Sequence, residues 1–236
     1  MTGFLLYTTV TLAPIFAVMA YVVWRDRHEQ EPRGMLFRMF AYGILSVFIT
    51  LILSSAVDLF VEIDQSTQIG IFVYAFFQVA LIEELSKYVF VRGVVYNNAH
   101  FNEPFDAIVY AVMVSMGFAA LENVLYVSGY GLGTGVLRAF TAVPAHATFA
   151  VMMGYFMGIQ KFGGPGKANY GTYGLLVATF FHGAYDFFLM SNYTPGIWIG
   201  AFVSLAISLW LSNKAMKMHS DRSPFRLFKF DFFKRD

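Results

Sequence analysis

Apolar residues run for about twenty positions at a time along nearly the whole chain, separated by short polar connections. An α-helix needs about 20 such residues to cross the ~30 Å hydrocarbon core of a bilayer. The pattern predicts seven helices, over about 3–24, 35–60, 70–95, 105–127, 134–159, 172–190 and 195–213. The expected fold is therefore all-α: a polytopic transmembrane bundle over 1–213, followed by a basic, aromatic tail over 214–236. The first run is expected to remain as a span, because Met1-Thr2-Gly3 is no basic leader and about 22 apolar residues exceed a signal core.

Composition agrees with this pattern. The chain is 58% hydrophobic and only 13% charged, where soluble domains carry about 25% charged residues. Lys and Arg are unevenly placed. Arg25, Arg27 and Arg33, then Arg92, then Lys161 and Lys167 occupy alternate connections, and Lys214, Lys217, Arg222, Arg226, Lys229, Lys234 and Arg235 crowd the tail. The connections near 61–69, 128–133 and 191–194 hold none. The positive-inside rule then predicts an outer N-terminus and a cytoplasmic C-terminus in the cell membrane. The basic segments read as topology determinants drawn to anionic lipid rather than as a nucleic-acid surface. Phe225, Phe228, Phe230, Phe232 and Phe233 suit an interfacial tail. With no cysteine, any metal must be held by His, Glu or Asp.

Against this apolar background, a few polar residues stand out. Glu83, Glu84 and Lys87 interrupt the third run. A charge at the centre of a membrane helix costs roughly 2.5–3.5 kcal/mol on insertion scales, so such residues mark function by default. Glu83 and Lys87 are four apart and Glu84 and Lys87 three apart, spacings that share a helix face. Lys87 can neutralise one glutamate and leave the other free, the division of roles that acid–base chemistry uses. Glu122 closes an apolar stretch of the fourth run, on one face with Phe118 and Tyr126. His146 follows Pro144 near the centre of the fifth. His182 lies midway along the sixth, with Asp186 one turn later, where a carboxylate can orient the imidazole. Counting about 1.5 Å per residue, Glu83, His146 and His182 fall at mid-membrane and Glu122 toward the outer side. A polar cavity among helices three to six, open to the outside, is the expectation. Asp106, after Asn102-Glu103-Pro104-Phe105, reads as a helix-start carboxylate.

In this order and spacing, Glu83-Glu84-Leu-Ser-Lys87, Asn102-Glu-Pro-Phe-Asp106, Gly117-Phe-Ala-Ala-Leu-Glu-Asn123, Pro144-Ala-His146 and His182-Gly-Ala-Tyr-Asp186 resemble the PrsW family of intramembrane proteases. That family is distantly related to the type II CAAX prenyl endopeptidases. Those relatives carry a histidine where this chain has Glu122, four residues after Phe118, which argues against a simple CAAX protease. The resemblance implies peptide-bond hydrolysis in or beside the membrane. It also implies a single-span membrane substrate such as an anti-sigma factor, cut first on the extracytoplasmic side.

On this reading Glu83 is the general base for a water, and Glu84 with Lys87 holds or tunes it. His146 and His182, with Glu83, bind a divalent metal, most simply zinc, or the imidazoles stabilise the oxyanion directly. Asp186 orients His182, and Glu122 is a third ligand or a polar wall. The glycine-rich stretch Ser128–Gly135 is expected to be a mobile outer loop that gates the cavity. Two other classes use the same residues: an ion- or proton-coupled transporter, against which no internal repeat is evident, and a non-catalytic membrane scaffold.

Overall fold

A computed structural model describes residues 2–191 and 195–226, and the described chain is helical throughout, with short connections. In chain order the helices are α1 (Thr2–Arg25), α2 (Arg33–Asp58), α3 (Gln68–Val95), α4 (Pro104–Tyr130), α5 (Leu132–Phe140), α6 (Ala142–Phe162), α7 (Tyr170–Met190) and α8 (Ile199–Asp221). Six segments are long and apolar enough to cross a membrane: α1, α2, α3, α4, α5 with α6, and α8. Helix α7 has the length, 21 residues, or about 32 Å. Its tyrosines, threonines, His182 and Asp186 lower its hydropathy, so it is the buried charges of the site that hide this helix from an apolarity count. Helix α8 runs eight residues past the boundary expected at 213. The tail residues Phe228, Phe230, Phe232 and Phe233 lie outside the described residues.

Helix α4 is the axis of the bundle. Nearly every residue from Pro104 to Ala120 is buried. A helix apolar all round has no face to give to solvent or lipid and is wrapped by others; α1, α2 and α6 do the wrapping. At the α2–α4 crossing two glycines let the backbones touch. A methyl group on Gly43 would overlap the Val114 carbonyl, and one on Gly117 would overlap the Phe40 carbonyl. Small residues at such crossings are what allow van der Waals packing to associate membrane helices. Gly117→Leu is therefore expected to prevent assembly of the bundle, read as loss of the monodisperse peak in size-exclusion of detergent extracts. Gly93→Ala, where a methyl meets nothing within 4 Å, should leave that peak unchanged.

Three local features differ from the sequence expectation. First, α3 is not uniformly α-helical. It is π-helical over Tyr74–Leu81 and Val91–Val95, on either side of an α-helical stretch Ile82–Phe90. The wider turns rotate the helix face, and π segments of this kind often sit at functional sites. Second, the fifth run is broken. Helix α5 ends at Phe140, and Thr141 leaves helical geometry at φ −123°, ψ −74°. Pro144 then falls in the first turn of α6, where its missing N–H costs nothing, so His146 lies near the start of a helix rather than in the middle of one. Third, the expected glycine loop is a turn of one residue. Helix α4 continues to Tyr130, Gly131 alone turns the chain at φ +85°, and α5 begins at Leu132. Gly131 is there because that φ is poorly accessible to other residues; Gly129, Gly133 and Gly135 are in helices, so Ser128–Gly135 is not the gating loop expected.

Candidate active site

The α-helical stretch of α3 turns Glu83, Glu84 and Lys87 into the bundle, where their exposures are 8%, 1% and 2%. Lys87 Nζ lies 2.8 Å from Glu84 Oε1 and 3.2 Å from Glu83 Oε2, and 3.4 Å from His146 Nδ1. An ammonium has three N–H donors, and these three acceptors use all of them. The Lys87 ammonium also sits 4.1 Å from the centre of the Phe118 ring.

Two neighbouring helices bring the imidazoles to this ammonium. His146, on α6, accepts from Lys87 through Nδ1, so its Nε2–H donates to Glu122 Oε2 at 2.8 Å. Ser115 donates to the His146 carbonyl at 2.9 Å and fixes the start of α6 against α4. Helix α7 approaches α3 closely at Gly183, where a methyl would meet the Phe76 ring at 2.6 Å. That approach places His182 Nδ1 2.9 Å from Glu84 Oε1. His182 Nε2 is 3.3 Å from Asp186 Oδ2 and 4.0 Å from Glu83 Oε2. Both nitrogens of His182 face carboxyl groups, so the imidazolium form would donate to both. Phe149 stacks on the His182 ring at 5.0 Å, and the two imidazoles are 5.4 Å apart.

All seven residues singled out from the sequence therefore meet in one connected network. Helices α3, α6 and α7 converge as expected, with the His182–Asp186 pair on one helix face. Glu84 is bound to His182 as well as to Lys87, a contact that spacing along one helix could not give. The network also holds residues the sequence reading passed over. Arg138 donates to Glu122 Oε2 at 2.6 Å and, through Nε, to Asn123 Oδ1 at 2.7 Å, and it lies 4.1 Å from the centre of the Tyr126 ring. Its signal was visible: it is the lone basic residue on the half of the bundle predicted to face outward.

A cavity of about 280 Å³ opens onto the network, room for several waters at about 30 Å³ each. Glu83, Glu122, His146, His182 and Asp186 line it, while Glu84 does not. Tyr74 and Tyr126 add hydroxyl groups to its wall, and Leu137, Arg138 and Thr141 bring the α5–α6 junction to it.

One ligand atom from each of Glu83, Glu84, His146 and His182 lies within 4.8 Å of the other three. Imidazole with carboxylate suits zinc. Within the network Glu84 Oε2 is a buried oxygen with no donor among the described residues, and a cation or a water beside it would satisfy it. The donor types thus fit a divalent ion. Ligation by the imidazoles would require Lys87 to leave His146 Nδ1 and His182 to give up a proton.

A family model described as PrsW family intramembrane metalloprotease matches residues 31–212. Among curated proteins, Protease PrsW of Geobacillus kaustophilus is 35% identical over 199 residues, covering 84% of this chain and 85% of that protein. Protease PrsW of Bacillus subtilis is 33% identical over 202 residues, covering 84% and 88%. Protease PrsW of Oceanobacillus iheyensis is 35% identical over 178 residues, covering 75% and 80%. No solved structure matches the chain.

Proposed function

Given that the chain belongs to the PrsW family of intramembrane metalloproteases, we propose that it hydrolyses a peptide bond of a single-span membrane protein near the outer membrane surface. We take the substrate to be an anti-sigma factor whose first cut starts a stress response. The observation that carries the chemistry is the unequal placement of the paired glutamates. Glu83 lines the cavity, whereas Glu84 does not and is held by both Lys87 and His182.

In this reading a cavity water lies against Glu83. The carboxylate takes a proton as the water oxygen attacks the scissile carbonyl carbon, forming a C–O bond. The carbonyl oxygen becomes an oxyanion facing the His182 imidazolium and the Arg138 guanidinium, preorganised charges in a low-dielectric site. When the C–N bond breaks, the proton held by Glu83 passes to the leaving nitrogen, and the products are a carboxylic acid and an amine, which become a carboxylate and an ammonium once the acid proton moves to the amine. Glu84 and Lys87 are positioning residues: they fix Glu83 and the two histidines relative to one another. Asp186 holds His182, and Glu122 with Arg138 holds His146. A divalent metal held by Glu83, Glu84, His146 and His182 would add Lewis-acid polarisation of the carbonyl and a more acidic water.

The side of the cut follows from the position of the cavity. It is lined by the late residues of α4 and α7, the ends away from the connections that carry Arg25, Arg27, Arg33, Lys161 and Lys167. If those connections are cytoplasmic, substrate enters from the outer half. Mapping the new termini of a cleaved single-span substrate by mass spectrometry should place the cut in its outer juxtamembrane segment. A cut on the cytoplasmic side would overturn the anti-sigma reading and favour the prenyl-endopeptidase kind of chemistry.

A further inference from the structure

At the opposite end of α4 lies a second group of acids, sixteen residues from Glu122 or about 24 Å along the helix. It is built from the α1–α2 connection, which supplies Asp26, Glu29 and Glu31, and from the start of α4, which supplies Glu103 and Asp106. Asp26, Glu31, Glu103 and Asp106 are exposed by only 2%, 6%, 1% and 0%, and Glu29 is half-buried. Ligand atoms of Glu29, Glu31 and Asp106 lie within 4.8 Å of one another.

The hydrogen bonding of these acids is lopsided in a consistent way. Asp106 Oδ2 accepts the backbone N–H groups of Asn102 and Glu103 at 2.8 Å each, which starts α4 as expected of a helix-start carboxylate. Tyr110 donates to Glu31 Oε2, and Ser223 donates to Glu103 Oε2. The second oxygen of each of the three, Asp106 Oδ1, Glu31 Oε1 and Glu103 Oε1, is buried with no donor among the described residues. Glu29 Oε2 is in the same state, and so are both oxygens of Asp26. Lys161 acts on Asp106 electrostatically, but its ammonium donates to the Tyr96 carbonyl at 2.7 Å.

Asp26 faces Glu103, and Glu31 faces Asp106. Two carboxyl groups can face each other in a buried place only with a proton or a cation between them. Burial, with repulsion from Glu103, Asp106 and Glu29, pushes Asp26 up to about 8. Burial likewise pushes Glu31 up to about 7, against the bond from Tyr110, and burial raises Glu103. Without those protons the carboxylates of this cluster would repel one another, and the ligand atoms they offer are all oxygen.

We propose that the α1–α2 connection and the start of α4 form a second site that binds one hard divalent cation, calcium or magnesium, through Glu29, Glu31 and Asp106, with Asp26 and Glu103 completing the oxygen set. All-oxygen carboxylate sets are the ligands these ions take. The cation would fasten the α1–α2 connection to α4, the helix that carries Glu122 at its other end. Loss of activity on adding a chelator would not by itself assign a metal to the catalytic cluster, since stripping this site would have the same effect.

The test uses the full-length protein in neutral detergent at pH 7.5, with terbium as the probe and tyrosine-sensitised luminescence as the readout. Tyr110, hydrogen-bonded to Glu31, is the expected energy donor. Saturable luminescence is expected, displaced by calcium or by magnesium, and displacement by one and not the other identifies the ion. Glu31→Gln and the half-buried Glu29→Gln should each weaken terbium binding at least tenfold, and His146→Ala and His182→Ala should leave it unchanged. The physiological cation should also raise the melting temperature of the wild type, and not that of Glu29→Gln. Groups raised in the folded state stabilise below their unfolded values and lose that contribution as pH rises, so without cation the melting temperature should fall between about pH 4 and pH 8. Two results would overturn the proposal. One is terbium binding that ignores both Gln substitutions. The other is the same fall in melting temperature with or without calcium and magnesium, which would show that protons alone occupy the cluster.

Discussion

Glu83→Gln is expected to lower the rate of substrate cleavage by about 10²–10⁴-fold, the contribution typical of a positioned general base, while leaving the melting temperature near that of wild type. Glutamine keeps the shape and can still accept from Lys87, but it cannot take a proton from water. Glu84→Gln should behave differently. Glu84 is 1% exposed and accepts from both Lys87 at 2.8 Å and His182 at 2.9 Å. Removing its charge leaves Lys87 with only Glu83, and His182 with only Asp186, as a close carboxylate partner, and breaking a buried ion pair from one side costs about 3–5 kcal/mol. Lower stability together with lower activity is the expected outcome there. Cleavage of a single-span reporter, measured beside thermal unfolding of the same preparations, separates the two. Full activity in Glu83→Gln would remove the acid–base assignment. An inactive Glu84→Gln that melts like wild type would move that assignment to Glu84.

The second large effect belongs to Lys87. Its ammonium is the one group that touches both glutamates and His146. Lys87→Met fills much of the same volume and leaves two carboxylates side by side with neither neutralised by the chain's own lysine. We expect a loss of stability of about 3–5 kcal/mol and cleavage reduced to background. Lys87→Arg is not expected to rescue, because a flat guanidinium cannot aim donors at three acceptors arranged around a point. Zinc added to purified Lys87→Met provides a further distinction. Recovery of melting temperature with zinc and not with magnesium would show that the cluster accepts a metal where the ammonium stood. No recovery would mean that Lys87 is the cation this site is built around.

Much of the site could be read along the chain because its parts are local. Glu83 with Lys87 and His182 with Asp186 are spaced to share a helix face, and an apolar background makes each polar residue conspicuous. Counting the helix rise puts Glu83, His146 and His182 at one level, and the three do meet in the bundle. What escaped was of two kinds. The π-helical turns of α3 and the break at Thr141 are departures from regular geometry that propensities do not encode; they alter which way a side chain points without altering where its helix lies. The rest depends on pairs far apart in sequence. Arg138 reads as a stray interfacial charge until α5 folds it onto Glu122. Asp26, Glu29 and Glu31 share one short connection with three arginines, and only the fold places the start of α4 beside them. The run that becomes α7 reads as a helix from its apolar pattern, although its polar residues keep it out of the six segments apolar enough to cross a membrane.

The central claim is that the cluster on α3, α6 and α7 is a peptide-bond-cleaving site, and reconstitution tests it most directly. Purified protein in liposomes with a fluorescent single-span substrate should release a cleaved fragment, and Glu83→Gln in the same liposomes should release none above background. A wild-type protein that leaves the substrate intact while dissipating a proton or ion gradient would contradict the claim and make the buried carboxylates and imidazoles a transport pathway instead.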